Sequence, residues 1–178
     1  MMKSVYTFRG APATGKGTLA PRFSKLLPKP VALIEQDTFR WGFHLIGRTV
    51  PEVSDSEHLF AYNNMVLMYE QYLRNGDYDI VLEGLFTWDD IISSQGNAKQ
   101  LLDMAHNFGF NTKSIVLKAD KQELLTRNGE REYSVPADEF NMLYDNIYRV
   151  VDTREVVVES TGQTIEQTLN VFKVIISE

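Results

Sequence analysis

Lys16 lies in the run Gly10-Ala11-Pro12-Ala13-Thr14-Gly15-Lys16-Gly17-Thr18, whose residue types suit one task, the holding of a chain of phosphates. Glycines let the backbone turn tightly around an anion, so that successive N–H groups point inward. A helix opening behind the run adds unpaired N–H donors and the positive end of its dipole. A lysine ammonium on its flexible stem reaches the outer phosphates as a mobile point charge. The run follows a β-type segment, Val5-Tyr6-Thr7-Phe8, and precedes a helix-like one, the setting that such a loop requires. Ala13, Thr14, Gly15, Lys16, Gly17 and Thr18 are the expected nucleotide contacts, and Lys16 also belongs with the transfer chemistry. Gly17 stands directly after the lysine, where Ser or Thr is usual, so Thr18 is the hydroxyl expected nearest a metal. Pro21 removes a helical hydrogen bond unless it lies within the first turn.

Three other groups have the chemistry to act beside such a loop. Asp37 is followed three residues later by Arg40, a spacing that puts both on one face of a short helix. A carboxylate there can accept a proton from an attacking hydroxyl or hold a metal-bound water, and Asp is also a common helix cap. Glu83 ends the apolar run Ile80-Val81-Leu82, where an acid can orient water around Mg²⁺ or pair with a cation. Asp79 begins that run and is expected at the opposite edge, without a chemical role. Arg127 and Arg131, four apart, are expected to project together from one helix turn, where guanidinium groups stabilise charge on phosphoryl oxygens.

The elements that must position these groups alternate. Strand-like runs cover Val5–Phe8, Val31–Glu35, Ile80–Glu83, Ser114–Lys118 and Glu155–Glu159. Helix-like stretches cover Gly17–Leu27, Ser56–Asn75, Ala98–Phe108, Lys121–Arg131, Ala137–Val150 and Thr164–Ile176, with Gly109 as a C-cap. Strands separated by helices predict an α/β fold, a three-layer doubly wound sandwich around a five-stranded parallel sheet. Ligands of such sheets sit beyond the carboxyl ends of the strands, which is where Gly10–Thr18, Asp37 and Glu83 fall.

The Gly-Lys-Gly-Thr version of the loop, with Pro12 two residues after Gly10, resembles that of adenylate kinases and related small kinases, which carry a glycine where this chain has Ala13. With Asp37 and Arg40 added, the chain resembles a wider group of P-loop kinases that includes polynucleotide 5′-hydroxyl kinases, chloramphenicol phosphotransferase and zeta toxins. Glu83-Gly84-Leu85 is more similar to the corresponding turn of uridine-kinase-type enzymes. The resemblance implies ATP and Mg²⁺, with Thr18 and Glu83 on the metal through water. It makes Asp37 the base and Arg40 the substrate anchor, with Glu83 also expected to contact the substrate. It also implies a mobile helical lid over 127–136 within a single domain spanning 1–178, and contacts to adenine from the backbone of Ser160-Thr161-Gly162. The expected reaction moves the γ-phosphoryl group of ATP to a hydroxyl of a small molecule. A nucleotide, sugar-nucleotide or nucleic-acid 5′-hydroxyl acceptor stays open, as does a nucleotide-binding module without transfer activity.

Trp41, Phe43 and Trp88 are candidates for an acceptor pocket and equally for the core; the segment 41–57 is expected to be irregular and to cover that pocket. His44, His58 and His106 share no metal-ligand spacing and are expected to be structural or exposed. The 18 basic and 24 acidic residues give a net charge of −6, which argues against tight binding to a long nucleic acid. The absence of cysteine excludes disulfides and thiolate metal sites and fits a reducing cytoplasm. The N-terminus lacks a signal-peptide pattern, and no stretch approaches the ~20 apolar residues of a membrane span. Oligomeric state is not legible.

Overall fold

The computed structural model describes residues 2–44, 53–89 and 95–177. Its elements run β1 (Ser4–Arg9), α1 (Lys16–Ser24), β2 (Val31–Glu35), α2 (Gln36–His44), α3 (Asp55–Asn75), β3 (Asp79–Gly84), α4 (Ala98–Asn107), β4 (Asn111–Lys118), α5 (Lys121–Gly129), α6 (Ala137–Arg149), β5 (Glu155–Glu159) and α7 (Ile165–Ser177). The five strands form one sheet in the order β2-β3-β1-β4-β5, and every pairing is parallel. All five expected strands are present, with ends shifted by up to three residues.

Period-two alternation divides the core into two layers. Val5, Ile80, Leu82 and Ile34 face α3 and α4, packing on Tyr62, Met65, Tyr69, Leu101 and Ala105. Phe8, Val81, Ile115, Leu117 and Val158 face α1 and α7. There Phe23 meets Tyr6 and Phe8 edge-on, each at 4.9 Å between ring centroids, and Phe172 at 5.5 Å. Edge-to-face pairs of this kind add stabilisation beyond area burial because the ring quadrupoles are complementary. Trp88 is in the core, packed with the α3 and α4 layer.

The face that carries Val5 turns polar toward β5. Thr7, Ser114 and Glu155 are aligned on neighbouring strands: Thr7 Oγ1 donates to Ser114 Oγ at 2.9 Å, and Ser114 Oγ donates to Glu155 Oε1 at 2.7 Å. Arg9, fully buried, donates from Nε to Glu155 Oε1 at 2.6 Å and from Nη2 to Glu155 Oε2 at 2.5 Å. Two further donors, from Nη1 and Nη2, go to the carbonyls of Ile147 and Val150 at the C-terminal end of α6, at 2.5 and 2.8 Å. A guanidinium satisfies orphan carbonyls at a helix end and matches its dipole. Asp79 lies at the opposite edge of the sheet, as expected of its position, its Oδ1 accepting from the Ser4 N–H at 2.8 Å.

Several helix boundaries differ from expectation. Residues 36–44 form α2, and α3 opens at Asp55 behind a capping box of Ser54 and Glu57, so the segment 41–57 is helical at both ends. The rest of that segment and the side chains of Trp41, Phe43 and His44 lie outside the described residues. α1 is shorter than Gly17–Leu27 and contains Pro21 beyond its first turn, so the Gly17 carbonyl receives no N–H from that position. α5 ends at Gly129, not Arg131, in line with the low helix propensity of glycine. No described helix is long and apolar enough to cross a membrane.

Candidate active site

The carboxyl ends of β1, β2 and β3 open into a cleft of about 470 Å³, lined by the loop after β1, Asp37 and Arg40 of α2, His58 of α3, Glu83-Gly84-Leu85, and Arg127, Arg131, Tyr133 and Val135. Every catalytic candidate from the sequence is therefore on one wall or another of a single cavity. His58, expected to be structural or exposed, is buried and borders it.

The loop has the backbone of an anion cradle. Gly15, at φ 87°, is the N-cap of α1, and its carbonyl accepts from Thr18 and Leu19 N–H at 3.0 and 2.9 Å. Ala13 adopts φ 65°, the left-handed region that costs a non-glycine residue about 1 kcal/mol or more, at the position where adenylate kinases have glycine. A Cβ on Gly10 would lie 2.5 Å from the Leu117 carbonyl oxygen, so only glycine lets the loop leave β1 this close to β4. A Cβ on Gly17 would meet nothing within 4 Å, so its lack of a side chain is not a packing requirement of the protein alone.

Lys16 is buried, and its Nζ donates to the Ala11 carbonyl at 3.1 Å. Burial pushes its pKa down, partly opposed by the carboxylates of Glu83 and Asp37. Burial raises Glu83 to about 7, with the Lys16 charge pulling the other way. The two therefore form a water-poor floor beneath the cradle, where an approaching charge is screened weakly.

Asp37 and Arg40 meet as the helical spacing predicts. Arg40 Nη1 donates to Asp37 Oδ1 at 3.2 Å; the Asp37 side chain is 63 % exposed while that of Arg40 is 8 % exposed. Burial lowers the Arg40 pKa, opposed by Asp37. Arg40 Nη2 donates to Gln95 Oε1 at 2.8 Å. Gln36 ties this corner together: its Nε2 donates to the Gln95 carbonyl at 2.7 Å, and its Oε1 accepts from the Leu85 N–H at 3.0 Å. Gly84 has no room for a Cβ because Gln36 Oε1 would be 2.4 Å away. Gln36 and Gln95 were not singled out from the sequence. Gln36, immediately before Asp37 at a strand end, carried a weak signal, and Gln95 carried none.

The arginine segment differs from expectation. Arg127 lies on α5 and pairs with Glu123, whereas Arg131 follows the helix end. They do not share a helix turn, yet both border the cleft. Asn128 shapes the segment between them and α6: its Nδ2 donates to the Val135 carbonyl at 2.7 Å, and its Oδ1 accepts from the Val135 N–H at 3.1 Å. A side-chain amide here imitates a strand partner and closes the loop at its base. On the far side of the cradle, Thr14, Thr18, Arg127, Ser160 and Gln163 line a hollow of about 160 Å³, which brings Ser160 next to the loop.

Among the described residues no group of three His, Cys, Asp or Glu side chains is placed to hold a metal. Mg²⁺ commonly keeps several waters and takes one or two carboxylates plus substrate phosphates, so the sparse set of Thr18 and Glu83 fits that ion when phosphates are present.

The model of the AAA domain family matches residues 5–149. This chain belongs to that family. An L-seryl-tRNA(Sec) kinase of Methanococcus maripaludis is 28% identical over 149 residues, 81% of this chain and 51% of the kinase. This AAA-domain chain thus spans about half the length of the curated relative it matches. Its fold is also similar to that of a thymidylate kinase from Candida albicans, with a TM-score of 0.68 and 21% identity, covering 99% of this chain and 92% of that one. A gluconokinase from Sinorhizobium meliloti superposes with a TM-score of 0.62 at 13% identity, covering 99% and 93%. The AAA-domain chain described here therefore has the P-loop kinase fold expected from its sequence.

Proposed function

We propose that this protein is an ATP-dependent phosphotransferase that moves the γ-phosphoryl group to a hydroxyl of a small molecule. The observation that carries the reading is the convergence of the cradle, Lys16, Asp37, Arg40, Glu83, Arg127 and Arg131 on one cleft. Ala13–Thr18 would hold the phosphates through backbone N–H groups, with Thr18 adding its hydroxyl. Lys16 would leave the Ala11 carbonyl to reach the outer phosphates. Asp37, the exposed member of its pair, can face an acceptor hydroxyl and take its proton as the oxygen attacks the γ-phosphorus and the bond from that phosphorus to the bridging oxygen breaks, releasing ADP. Arg40, pinned by Gln95, anchors the acceptor. Arg127 and Arg131 neutralise charge on the transferred group, and the 127–136 segment acts as a lid that keeps water from competing as acceptor. Magnesium, held through water by Thr18 and Glu83, would neutralise phosphate charge.

A second reading concerns the acceptor alone. The relative from Methanococcus maripaludis is named for seryl-tRNA(Sec), which points to the hydroxyl of a seryl group carried on RNA. The net charge of −6 weighs against a large RNA surface and favours the small acceptor. A transfer screen separates the two. Purified protein with ATP and Mg²⁺ is offered antibiotics, nucleosides, sugars, sugar nucleotides, 5′-hydroxyl oligonucleotides and seryl-tRNA. Transfer to one group that disappears in Asp37→Asn, with ATP binding retained, supports the proposal. Unchanged turnover in that variant removes Asp37 as the base. ATP binding without transfer to any group favours a non-catalytic module.

A further inference from the structure

The phosphate loop does not stand free at its root. Ala11, its second residue, has both peptide groups occupied. The Ala11 carbonyl accepts from Lys16 Nζ and, at 2.9 Å, from Thr14 Oγ1. The Ala11 N–H donates to the Tyr148 hydroxyl at 3.0 Å, and that hydroxyl donates onward to the Leu117 carbonyl at 2.6 Å. One phenol oxygen therefore joins the loop to the end of β4, at the same carbonyl that Gly10 approaches too closely to carry a Cβ. Tyr148 sits in the last turn of α6 between Ile147 and Val150, whose carbonyls hold Arg9. The root of the loop is thus gripped at two consecutive elements by a single helix turn.

That helix begins directly after the arginine segment. Its face toward the loop is a ladder of rings: Phe140 and Tyr144 have centroids 6.3 Å apart, and Tyr144 and Tyr148 4.8 Å. A small core joins Ala11, Ala119, Leu124 and Phe140, with Leu125 and Val135 packed against it. Apolar contact is therefore continuous from the base of the arginine segment to the loop.

We propose that Tyr148 is a positioning residue for phosphate binding, its hydroxyl fixing the Ala11 peptide and with it the outline of the anion cradle. The inference rests on the nucleotide-binding reading of the loop. Tyr148 does not line the cleft; its hydroxyl acts by holding a peptide whose carbonyl is the resting partner of Lys16. A loop freed at Ala11 loses the preorganisation of its inward N–H groups, so the penalty falls on phosphates and spares the nucleoside.

The test is calorimetric titration of the full chain and of Tyr148→Phe with Mg-ATP, ADP and adenosine. Tyr144→Phe serves as a matched control, since among the described residues its hydroxyl bonds only to the Ala119 carbonyl, at 3.5 Å. Tyr148→Phe removes both hydrogen bonds of the hydroxyl, and the one that holds the loop, from the Ala11 N–H, predicts ATP and ADP weakened by up to about tenfold while adenosine stays within about twofold. Tyr144→Phe should change neither. Equal weakening of ATP and adenosine, or unchanged ATP affinity, overturns the inference and leaves nucleotide binding intact. Wild-type protein that binds no ATP overturns the nucleotide-binding reading itself. If Tyr148→Phe does not fold, hydrogen exchange in the wild type decides the matter: an Ala11 amide as slow as those in the last turn of α6 supports the grip, and a fast one overturns it.

Discussion

Replacing Glu155 by Gln should damage this fold more than any loss of a surface ion pair. The two Glu155 oxygens accept four hydrogen bonds, Oε1 from Arg9 Nε and Ser114 Oγ, Oε2 from Arg9 Nη2 and the Asp152 N–H. Glutamine has one oxygen and one NH₂, so either orientation sets the NH₂ against an N–H donor of Arg9. It also leaves the Arg9 charge uncompensated, with both side chains of the pair fully buried. Removing one partner of such a pair costs about 3–5 kcal/mol. A domain of this size has about 5–15 kcal/mol in total, and each kcal/mol shifts Tm by roughly 2–4 °C. Glu155→Gln should therefore lower Tm by about 6–20 °C. The comparison is Glu70→Gln, which breaks the pair with Arg74, whose side chain is 53 % exposed; about 0.5 kcal/mol or less is expected there. Urea unfolding followed by circular dichroism gives both values on one scale. If the two variants lie within about 0.5 kcal/mol of each other, the buried network does not hold the root of the loop as argued.

Three other outcomes follow from the site. Glu83 has its pKa raised from 4.5 to about 7 by burial, so the folded state binds a proton more tightly than the unfolded one. Its contribution to stability is complete below about pH 4.5 and is lost as pH rises through about 7; Glu83→Gln should flatten that decline by up to about 3 kcal/mol in metal-free thermal denaturation at a series of pH values. A Gly10→Ala methyl would strike the Leu117 carbonyl, costing about 1–3 kcal/mol in chemical denaturation. Gly17→Ser should do the opposite, because its Cβ meets nothing and serine is the better helix former; a gain of about 0.5 kcal/mol is expected by the same measurement.

The sheet was legible because β3 and β4 are apolar runs buried on both faces, bounded by turn residues, and because the cradle glycines sit between a strand and a helix. Asp37 and Arg40 were legible because their partnership is local, three residues along one helix. Arg9 and Glu155 were not: they lie 146 residues apart, and only the register of β1, β4 and β5 brings them together. Gln36, Gln95, Asn128 and Tyr148 were missed for a related reason. Gln36, Asn128 and Tyr148 bond to backbone groups, and Gln95 to an arginine 55 residues away, pairings that leave no mark in composition or periodicity. The end of α5 is a different case, since Gly129 was a readable stop signal that the Arg127–Arg131 spacing overrode.

The central claim is that the backbone from Ala13 to Thr18 receives the phosphates of a nucleoside triphosphate. Amide NMR of the uniformly ¹⁵N-labelled chain during titration with Mg-ATP tests it at the atoms concerned. The expected result is saturable shifts largest at Gly15, Lys16, Gly17 and Thr18, reduced sharply in Lys16→Ala. A well-folded chain whose amides in this loop do not move, or whose shifts concentrate elsewhere, would contradict it.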